Sequence, residues 1–333
     1  MDQIELANRI LKMRFSMRDL SIHSLKLAHD AEGPAMYNVE TSGDRYVVRM
    51  VPEGEEAAGL AGYAASLLFL AEHDYPAPRL CPADDGASVT IVDGWHVLVM
   101  SFVHGSALDY SPWSLRCLGD ALGHLHSLGP AAISASPALP ANPTWKPETR
   151  IPRALELLRR IESRTQPSQR DQHRAFREAL EGIPSLAGIP VGLIHTDCFP
   201  GNALRLPDDR VALLNWDGAG LAQPVIDLGY TVLTCSTALP WSPEKGPNVP
   251  RVTAFVEGYI RHGVPESAEL DALVPASRIP PAVMGAESFA AAVMGEGSDE
   301  QWKLWWARYN AAEATALLMR DLFHVLADWN ANS

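Results

Sequence analysis

The chain has 333 residues and a formal net charge of −13 at pH 7, with 47% apolar and 20% charged residues. This composition is typical of a globular protein, and the length suits two lobes that share a cleft. The acidic balance argues against a nucleic-acid partner, because a phosphate backbone is bound by a basic surface.

The sequence predicts a cytoplasmic protein. It contains no run of about 18 apolar residues, the minimum for a membrane span. Asp2 and Glu5 stand where a signal peptide would carry basic residues. The four cysteines are widely spaced, which favours reduced thiols over a disulfide framework or a zinc site.

The first third of the chain combines helix and strand patterns. Apolar side chains at helical spacing predict helices over residues 2–15 and 55–73. Alternating or β-branched runs predict strands at residues 36–40, 45–50, 88–92 and 96–100. The first two strands flank Thr-Ser-Gly-Asp, which is typical of a hairpin turn.

After Gly105 the patterns are mainly helical. Helices are predicted at residues 115–128, 151–163, 169–181, 252–262 and 301–329. Residues 129–150, rich in Pro, Ala and Ser, predict a loop, and residues 265–300, rich in Pro and Gly, predict an irregular excursion. Together the elements predict an α+β fold with a small antiparallel-sheet lobe followed by a larger, mainly helical lobe.

The residues with the most specific spacing lie between 195 and 217. Asn202 stands five positions after Asp197, and Asp217 stands twenty positions after it. This spacing is typical of phosphoryl transfer, in which one Asp accepts a hydroxyl proton while an Asn and a second Asp hold Mg²⁺. Mg²⁺ prefers oxygen ligands, which these side chains supply. We therefore predict Asp197 as the catalytic base and Asn202 and Asp217 as metal ligands.

Residues 195–202 and 214–218 resemble the aminoglycoside phosphotransferase and choline kinase superfamily. The usual motifs of that superfamily are His-Gly-Asp-(Leu/Ile/Phe)-His-Pro-Gly-Asn and Ile-Asp-Trp-(Asp/Glu). The chain keeps His195, Asp197, Pro200, Gly201 and Asn202, and it departs at Thr196, Cys198 and Phe199. The resemblance implies a protein-kinase-like fold, with a nucleotide-binding lobe at residues 1–103 and a catalytic and substrate-binding lobe at residues 104–333.

The second motif leaves the identity of the main metal ligand open. Asn215 aligns with the Mg²⁺-binding Asp of the superfamily, and Asp217 aligns with the less fixed acid after it. Either Asn215 is a neutral ligand with Asp217 nearby, or Asp217 has taken over. Both could reach the ion, because residues two apart in an extended segment share a face.

The resemblance implies roles for further residues. Arg49 takes the place of the Lys that grips the phosphates of ATP or GTP, and backbone groups of Ser101 and Val103 would hydrogen-bond the base. Residues 31–35 would cover the nucleotide, and Asp227 would brace the catalytic loop.

The leading prediction is a kinase for a hydroxyl group of a small molecule. Its acceptor would contact the Trp-rich C-terminal helix, where acids such as Glu313 and Asp321 would favour an amine-bearing metabolite or antibiotic. The alternative is a nucleotide-binding pseudokinase or regulatory binding module. Asn215 motivates it, as does the absence of an acid from residues 59–71, where a kinase helix carries the glutamate that pairs with the phosphate-binding base. A protein kinase is disfavoured, since the chain has no Asp-Phe-Gly or Ala-Pro-Glu element.

Overall fold

The structure is a computed structural model that describes residues 3–24, 35–134, 136, 138–141, 143–239 and 241–331. Residues 31–34 of the predicted nucleotide-covering loop lie outside the described residues. The chain divides into two compact units. Unit 1 comprises Met1–Ser106, Ser136–Pro140 and Leu204–Asp217, and unit 2 comprises Ala107–Ala135, Ala141–Ala203 and Gly218–Ser333.

Unit 1 contains a five-stranded antiparallel sheet with strand order β1-β2-β3-β5-β4. Its strands are β1 (Ser21–Ser24), β2 (Ala35–Glu40), β3 (Arg45–Pro52), β4 (Thr90–Val92) and β5 (Trp95–Ser101). The predicted hairpin is confirmed as β2 and β3, and the Asp44 amide donates to Thr41 Oγ1 at 3.0 Å in its turn. In the central strand β3, Val48 and Met50 are buried, so Arg49 between them points to the opposite face.

Two helices belong to unit 1. The helix α1 (Gln3–Arg14) buries Leu6, Ile10 and Leu11 in a cluster with Val48 and other residues of the sheet. The helix α2 (Glu55–Glu72) packs against β3 and β5. Because Tyr63 of α2 lies with its ring centroid 5.8 Å from the Arg49 guanidinium, the Arg49 side chain is on the side of α2.

The remaining strands are short. β6 (Ser106–Ala107) follows β5, and β8 (Ala203–Arg205) and β9 (Val211–Leu213) lead to the second motif. In unit 2, β7 (Gly192–Ile194) pairs antiparallel with β10 (Gly220–Ala222). The loop that carries Asp197 therefore begins at the end of a strand.

Unit 2 is otherwise helical. Its helices are α3 (Pro112–Ser127), α4 (Pro130–Ser134), α5 (Pro147–Ile161), α6 (Arg170–Glu181), α7 (Pro224–Ser236), α8 (Val249–Tyr259), α9 (Ser267–Asp271), α10 (Leu273–Met294) and α11 (Asp299–Ala331). The helix α10 packs against α5, α6, α7 and α11. Among the helices of the described residues, none is long and apolar enough to cross a membrane.

The prediction of an irregular excursion at residues 265–300 is wrong. That region contains α9, α10 and the first residues of α11, and α10 continues through Pro280 and Pro281. Each proline removes a helix hydrogen bond and normally breaks a helix. Here Ile279, Ala282 and Val283 are completely buried, so the packing of an apolar helix outweighs the local cost. The loop predicted at residues 129–150 likewise contains α4 and the start of α5.

Glycines allow α3 and α8 to approach backbone to backbone. A Cβ added at Gly258 would lie 1.9 Å from the carbonyl oxygen of Arg116, and one at Gly119 would lie 2.1 Å from that of Phe255. No side chain fits at these distances. The contact between the two helices therefore depends on glycine at both positions.

Candidate active site

Asp197 and Asn202 are in direct contact in unit 2. A turn of 3₁₀ helix, Pro200–Asn202, reverses the chain after Asp197. Asn202 Nδ2 thereby donates to Asp197 Oδ2 at 2.7 Å and to the Asp197 carbonyl oxygen at 2.9 Å. Since the amide nitrogen of Asn202 is used in this way, its amide oxygen is the atom that suits a cation.

Asp227 holds the catalytic loop in place through hydrogen bonds to its backbone. This completely buried carboxylate in the first turn of α7 accepts the His195 amide at 2.7 Å and the Thr196 amide at 3.0 Å. His126 Nε2 lies 3.4 Å from the same carboxylate, and His126 Nδ1 lies 2.9 Å from the Tyr259 hydroxyl. The two hydrogen bonds tie consecutive backbone amides of the loop to the first turn of α7. The geometry agrees with the bracing role that the resemblance implies.

Thr196 occupies a backbone conformation that favours glycine. Its φ is 74°, in the left-handed region that a β-branched residue rarely adopts. The superfamily has Gly at this position, so the departure carries a backbone strain. Neighbouring residues hold this conformation, because the Thr196 amide donates a hydrogen bond to Asp227 and the Thr196 carbonyl accepts one from Trp145 Nε1 at 2.6 Å.

Asp197 lies in an environment that favours proton acceptance. Burial raises the pKa of its carboxyl above the ordinary value, opposed by His195 and by hydrogen bonds from Asn202 and Tyr230. The Tyr230 hydroxyl lies 3.5 Å from Asp197 Oδ1, and the ring of Tyr230 lies 5.6 Å from that of Trp145. A carboxylate with a raised pKa is a better general base than a solvated one.

In unit 1 the structure pairs Arg49 with Asp217. Arg49 Nη1 donates to Asp217 Oδ2 at 2.5 Å, and the two side chains are 11% and 36% exposed. Arg49 Nε is shielded from solvent and has no hydrogen-bond partner among the described residues. The guanidinium thus has an unused N–H that a phosphate oxygen would satisfy.

The neighbours of Asp217 are anchored in the same unit. Trp216 is completely buried, its Nε1 donates to the Leu213 carbonyl at 2.9 Å, and its ring meets that of Tyr75 edge-on at 5.9 Å. Asn215 has a φ of 63°, a left-handed conformation that Asn tolerates well. The anchored Trp216 therefore fixes the backbone on which both candidate metal ligands stand.

The two predicted nucleotide-base contacts lie at the end of β5. The Ser101 amide donates to the Arg79 carbonyl at 2.8 Å, and Ser101 Oγ accepts the Arg79 amide at 3.0 Å. Among the polar groups of Ser101, the carbonyl is therefore the one suited to the nucleotide base. The amide of Phe102, before Val103, donates to the Arg45 carbonyl at 3.0 Å.

The candidate ligand set fits Mg²⁺ better than a transition metal. Within the part of the chain that the structure describes, no three His, Cys, Asp or Glu side chains form a metal cluster. Mg²⁺ needs only one or two protein ligands, because waters and substrate phosphates complete its shell. The Asn202 amide oxygen, Asn215 and Asp217 offer donors of the required kind.

The structure adds residues that sequence reasoning missed. Trp145 and Tyr230 support the catalytic loop, although neither belongs to a motif. An isolated Trp in a loop of small residues was the available signal for Trp145. The aromatic residues Trp302 and Trp306 of α11 pack against Phe176, so they belong to the core.

Comparison with known proteins shows the family to which the chain belongs. The model of the phosphotransferase enzyme family matches residues 25–272, a span that contains Arg49, Asp197, Asn202, Asn215 and Asp217. The chain therefore belongs to the phosphotransferase enzyme family. It is a phosphotransferase, and its fold is protein-kinase-like, as the resemblance predicts.

Three particular similarities illustrate this membership. A homoserine kinase from Rhizobium johnstonii is 28% identical over 255 residues, which cover 74% of this chain and 75% of the relative. Amicoumacin kinase, solved with AMP-PNP and Ca²⁺, has a TM-score of 0.65 at 14% identity, with 98% and 97% of the two chains covered. Spectinomycin phosphotransferase, solved with ADP and spectinomycin, has a TM-score of 0.61 at 13% identity, with 96% and 98% covered. The two structures establish likeness of fold.

Proposed function

We propose that the protein transfers the γ-phosphate of ATP, or of GTP, to a hydroxyl group of a small acceptor. The observation that carries this proposal is the Asp197 carboxylate, which Asn202 holds at 2.7 Å in a loop fixed by Asp227. Family membership supports the reaction class. The assignment of individual roles rests on the contacts described above.

In the proposed reaction Asp197 accepts the proton of the acceptor hydroxyl. The oxygen forms a bond to the γ-phosphorus while the bond to the β,γ-bridging oxygen breaks, which yields the phosphate ester and the nucleoside diphosphate. Phosphoryl transfer demands mainly positioning and charge neutralisation. Tyr230 and Asn202 orient the Asp197 carboxylate through its two oxygens.

On the nucleotide side, we assign the phosphates to Arg49 and the base to the Ser101 carbonyl and the Val103 amide. A guanidinium binds phosphate through a planar pair of N–H groups. Residues 1–103 are proposed as the nucleotide-binding lobe and residues 104–333 as the catalytic and substrate-binding lobe. A cytoplasmic location stays a prediction from the sequence.

Mg²⁺ would be held by Asn202 together with Asn215 or Asp217. We favour Asn215 as the main ligand, because the Asp217 carboxylate is engaged by Arg49. When bound, Mg²⁺ would neutralise charge on the phosphates. Asp217 would then orient the phosphate-binding Arg49, which is the role that a helix glutamate has in a protein kinase.

The alternative function, a pseudokinase or regulatory binding module, was motivated by Asn215 and the missing helix acid. None of the matches reported above supports it, and Asp217 supplies Arg49 with a carboxylate partner that residues 59–71 of α2 do not contain. We therefore retain the enzyme as the proposal.

The test follows transfer of the labelled γ-phosphate of ATP to four purified acceptors: L-homoserine, 4-hydroxybutyrate, 3-aminopropanol and an aminoglycoside. L-homoserine is the first choice because of the relative named above. The proposal expects a labelled phosphate ester with at least one acceptor and none with Asp197→Ala. Full transfer by Asp197→Ala would remove Asp197 as the base. Nucleotide binding without transfer to any acceptor would favour the pseudokinase.

A further inference from the structure

Among the residues that the structure describes, Arg308 on α11 has no hydrogen-bond acceptor and no carboxylate partner. Its guanidinium lies 4.7 Å from the ring centroid of Trp305, and its Nε is shielded from solvent with no hydrogen-bond partner among the described residues. Within those residues no Asp or Glu forms an ion pair with it. A largely buried guanidinium that has neither a carboxylate nor a carbonyl acceptor is costly, and an anionic ligand would offset that cost.

Two other arginines of unit 2 have acceptors for their terminal N–H groups, although Nε of Arg278, like that of Arg308, has no partner among the described residues. Arg251 donates to the carbonyls of Cys235 and Ala238 at 3.2 and 2.9 Å. Arg278 pairs with Glu313 at 2.7 Å. The same acid, Glu313, was expected to attract an amine, and the structure shows it already neutralised. Arg308 alone of these three arginines has neither a carbonyl nor a carboxylate.

The position of Arg308 relates it to the catalytic loop. The helix α11 packs against α7, which carries Tyr230 and Cys235. Arg308 interacts electrostatically with Tyr230, Tyr110 and Cys235, and Tyr230 in turn contacts Asp197. Burial lowers the pKa of Arg308 below its ordinary value, and interactions with Tyr230, Tyr110 and Cys235 oppose this shift only in part. Tyr230 therefore interacts both with this cation and with the proposed base.

We propose that Arg308 binds a carboxylate of the acceptor, so that the acceptor is a small hydroxy acid or hydroxy amino acid. The inference rests on the proposed function, in which Asp197 receives the acceptor hydroxyl. A carboxylate matches the planar fork of a guanidinium and would satisfy the unused Nε–H. We assign the nucleotide phosphates to Arg49, so the acceptor is the expected source of the anion at Arg308.

The experiment compares acceptors with and without a carboxylate in the full-length enzyme. Kinetic constants are measured for L-homoserine, 4-hydroxybutyrate and 3-aminopropanol with wild type, Arg308→Met and Arg308→Lys. Met keeps the apolar stem, whereas Lys keeps the charge without the fork. Arg320→Met is the matched control, because Arg320 lies on the same helix and is 38% exposed.

We expect Arg308→Met to raise KM about 10- to 100-fold for the two carboxylates, the value of a lost charged hydrogen bond. KM for ATP and for 3-aminopropanol should not change, and Arg308→Lys should recover part of the loss. A wild-type enzyme whose kcat/KM for 3-aminopropanol equals that for the two carboxylates would overturn the inference. So would an Arg308→Met variant that loses activity equally on every acceptor or that raises KM for ATP instead.

The failure of the proposed function would look different. If no acceptor were phosphorylated, calorimetric titration of L-homoserine and 4-hydroxybutyrate into the AMP-PNP-loaded protein would still test Arg308. Carboxylate binding by wild type that Arg308→Met abolishes and Arg320→Met retains would support the inference. Absent binding, or equal binding by wild type and Arg308→Met, would overturn it.

Discussion

Thr196 shows how a single residue can be kept against its own backbone preference. Its amide and carbonyl are both used, by Asp227 and Trp145, and these bonds hold φ at 74°. A β-branched residue in this region costs about 1–3 kcal/mol, which glycine avoids. The catalytic loop is thus fixed by its surroundings rather than by local propensity.

We expect Thr196→Gly to be more stable than Thr196→Ala by about 1 kcal/mol in urea unfolding, because only glycine relieves the strained φ. Thr165 provides the control, since it is also buried but has an ordinary φ of −68°. There the order should reverse, with Thr165→Ala more stable than Thr165→Gly. If the Ala variant were more stable than the Gly variant at both positions, the strain at Thr196 would be contradicted.

Asp217 is predicted from the sequence as a metal ligand, whereas we propose that it orients Arg49, with which it forms an ion pair. Asp217→Asn removes the charge that pairs with Arg49 at 2.5 Å. If Asp217 orients Arg49, the substitution should raise KM for ATP about 10-fold and leave KM for the acceptor unchanged. If Asp217 were instead the main Mg²⁺ ligand, the variant would require far more Mg²⁺ for half-maximal activity. A titration of Mg²⁺ at saturating ATP distinguishes the two results, with Asp299→Asn, an exposed acid, as control.

Among the elements, the pair α3 and α8 depends on close backbone contact. Gly258→Ala would place a methyl group 1.9 Å from the Arg116 carbonyl oxygen. The helices must separate, which we expect to cost about 1–3 kcal/mol of unfolding free energy. Because His126 of α3 contacts Asp227 and is itself bonded by Tyr259 of α8, catalytic activity should fall as well.

Gly59→Ala is the matched control for this prediction. Gly59 lies in the exposed face of α2, and a Cβ there would meet no atom within 4 Å. In a helix interior this substitution should stabilise the protein by about 0.5–1 kcal/mol. A Gly258→Ala variant as stable as wild type would show that the helices are not in the contact described.

The helix α10 is the element that the sequence pattern predicted incorrectly. Pro280 and Pro281 are strong local signals against a helix, and they led to the wrong prediction for residues 265–300. Tertiary burial decided the outcome, and a single sequence contains no direct record of which neighbours will cover a segment. Helices with an amphipathic pattern, such as α1 and α3, were predicted correctly because their own spacing carries the signal.

For the whole molecule, the sequence predicts the fold class and the catalytic loop but not the full site. Asp197 and Asn202 are five residues apart, so a local motif is enough to bring them together. Trp145 and Tyr230 are far apart along the chain, and only the packing of unit 2 brings them to that loop. Arg49 and Asp217 likewise come from distant strands and loops, so their mutual contact had no signal in the sequence.

The central claim is that Asp197 accepts the acceptor proton. The most direct measurement is kcat for phosphate transfer by Asp197→Asn, which keeps the shape of the side chain and removes its basicity. We expect kcat to fall about 10²- to 10⁴-fold while the melting temperature and the affinity for ATP stay close to those of wild type. The exposed Asp299→Asn control should keep full activity. An Asp197→Asn enzyme with the kcat of wild type would contradict the account.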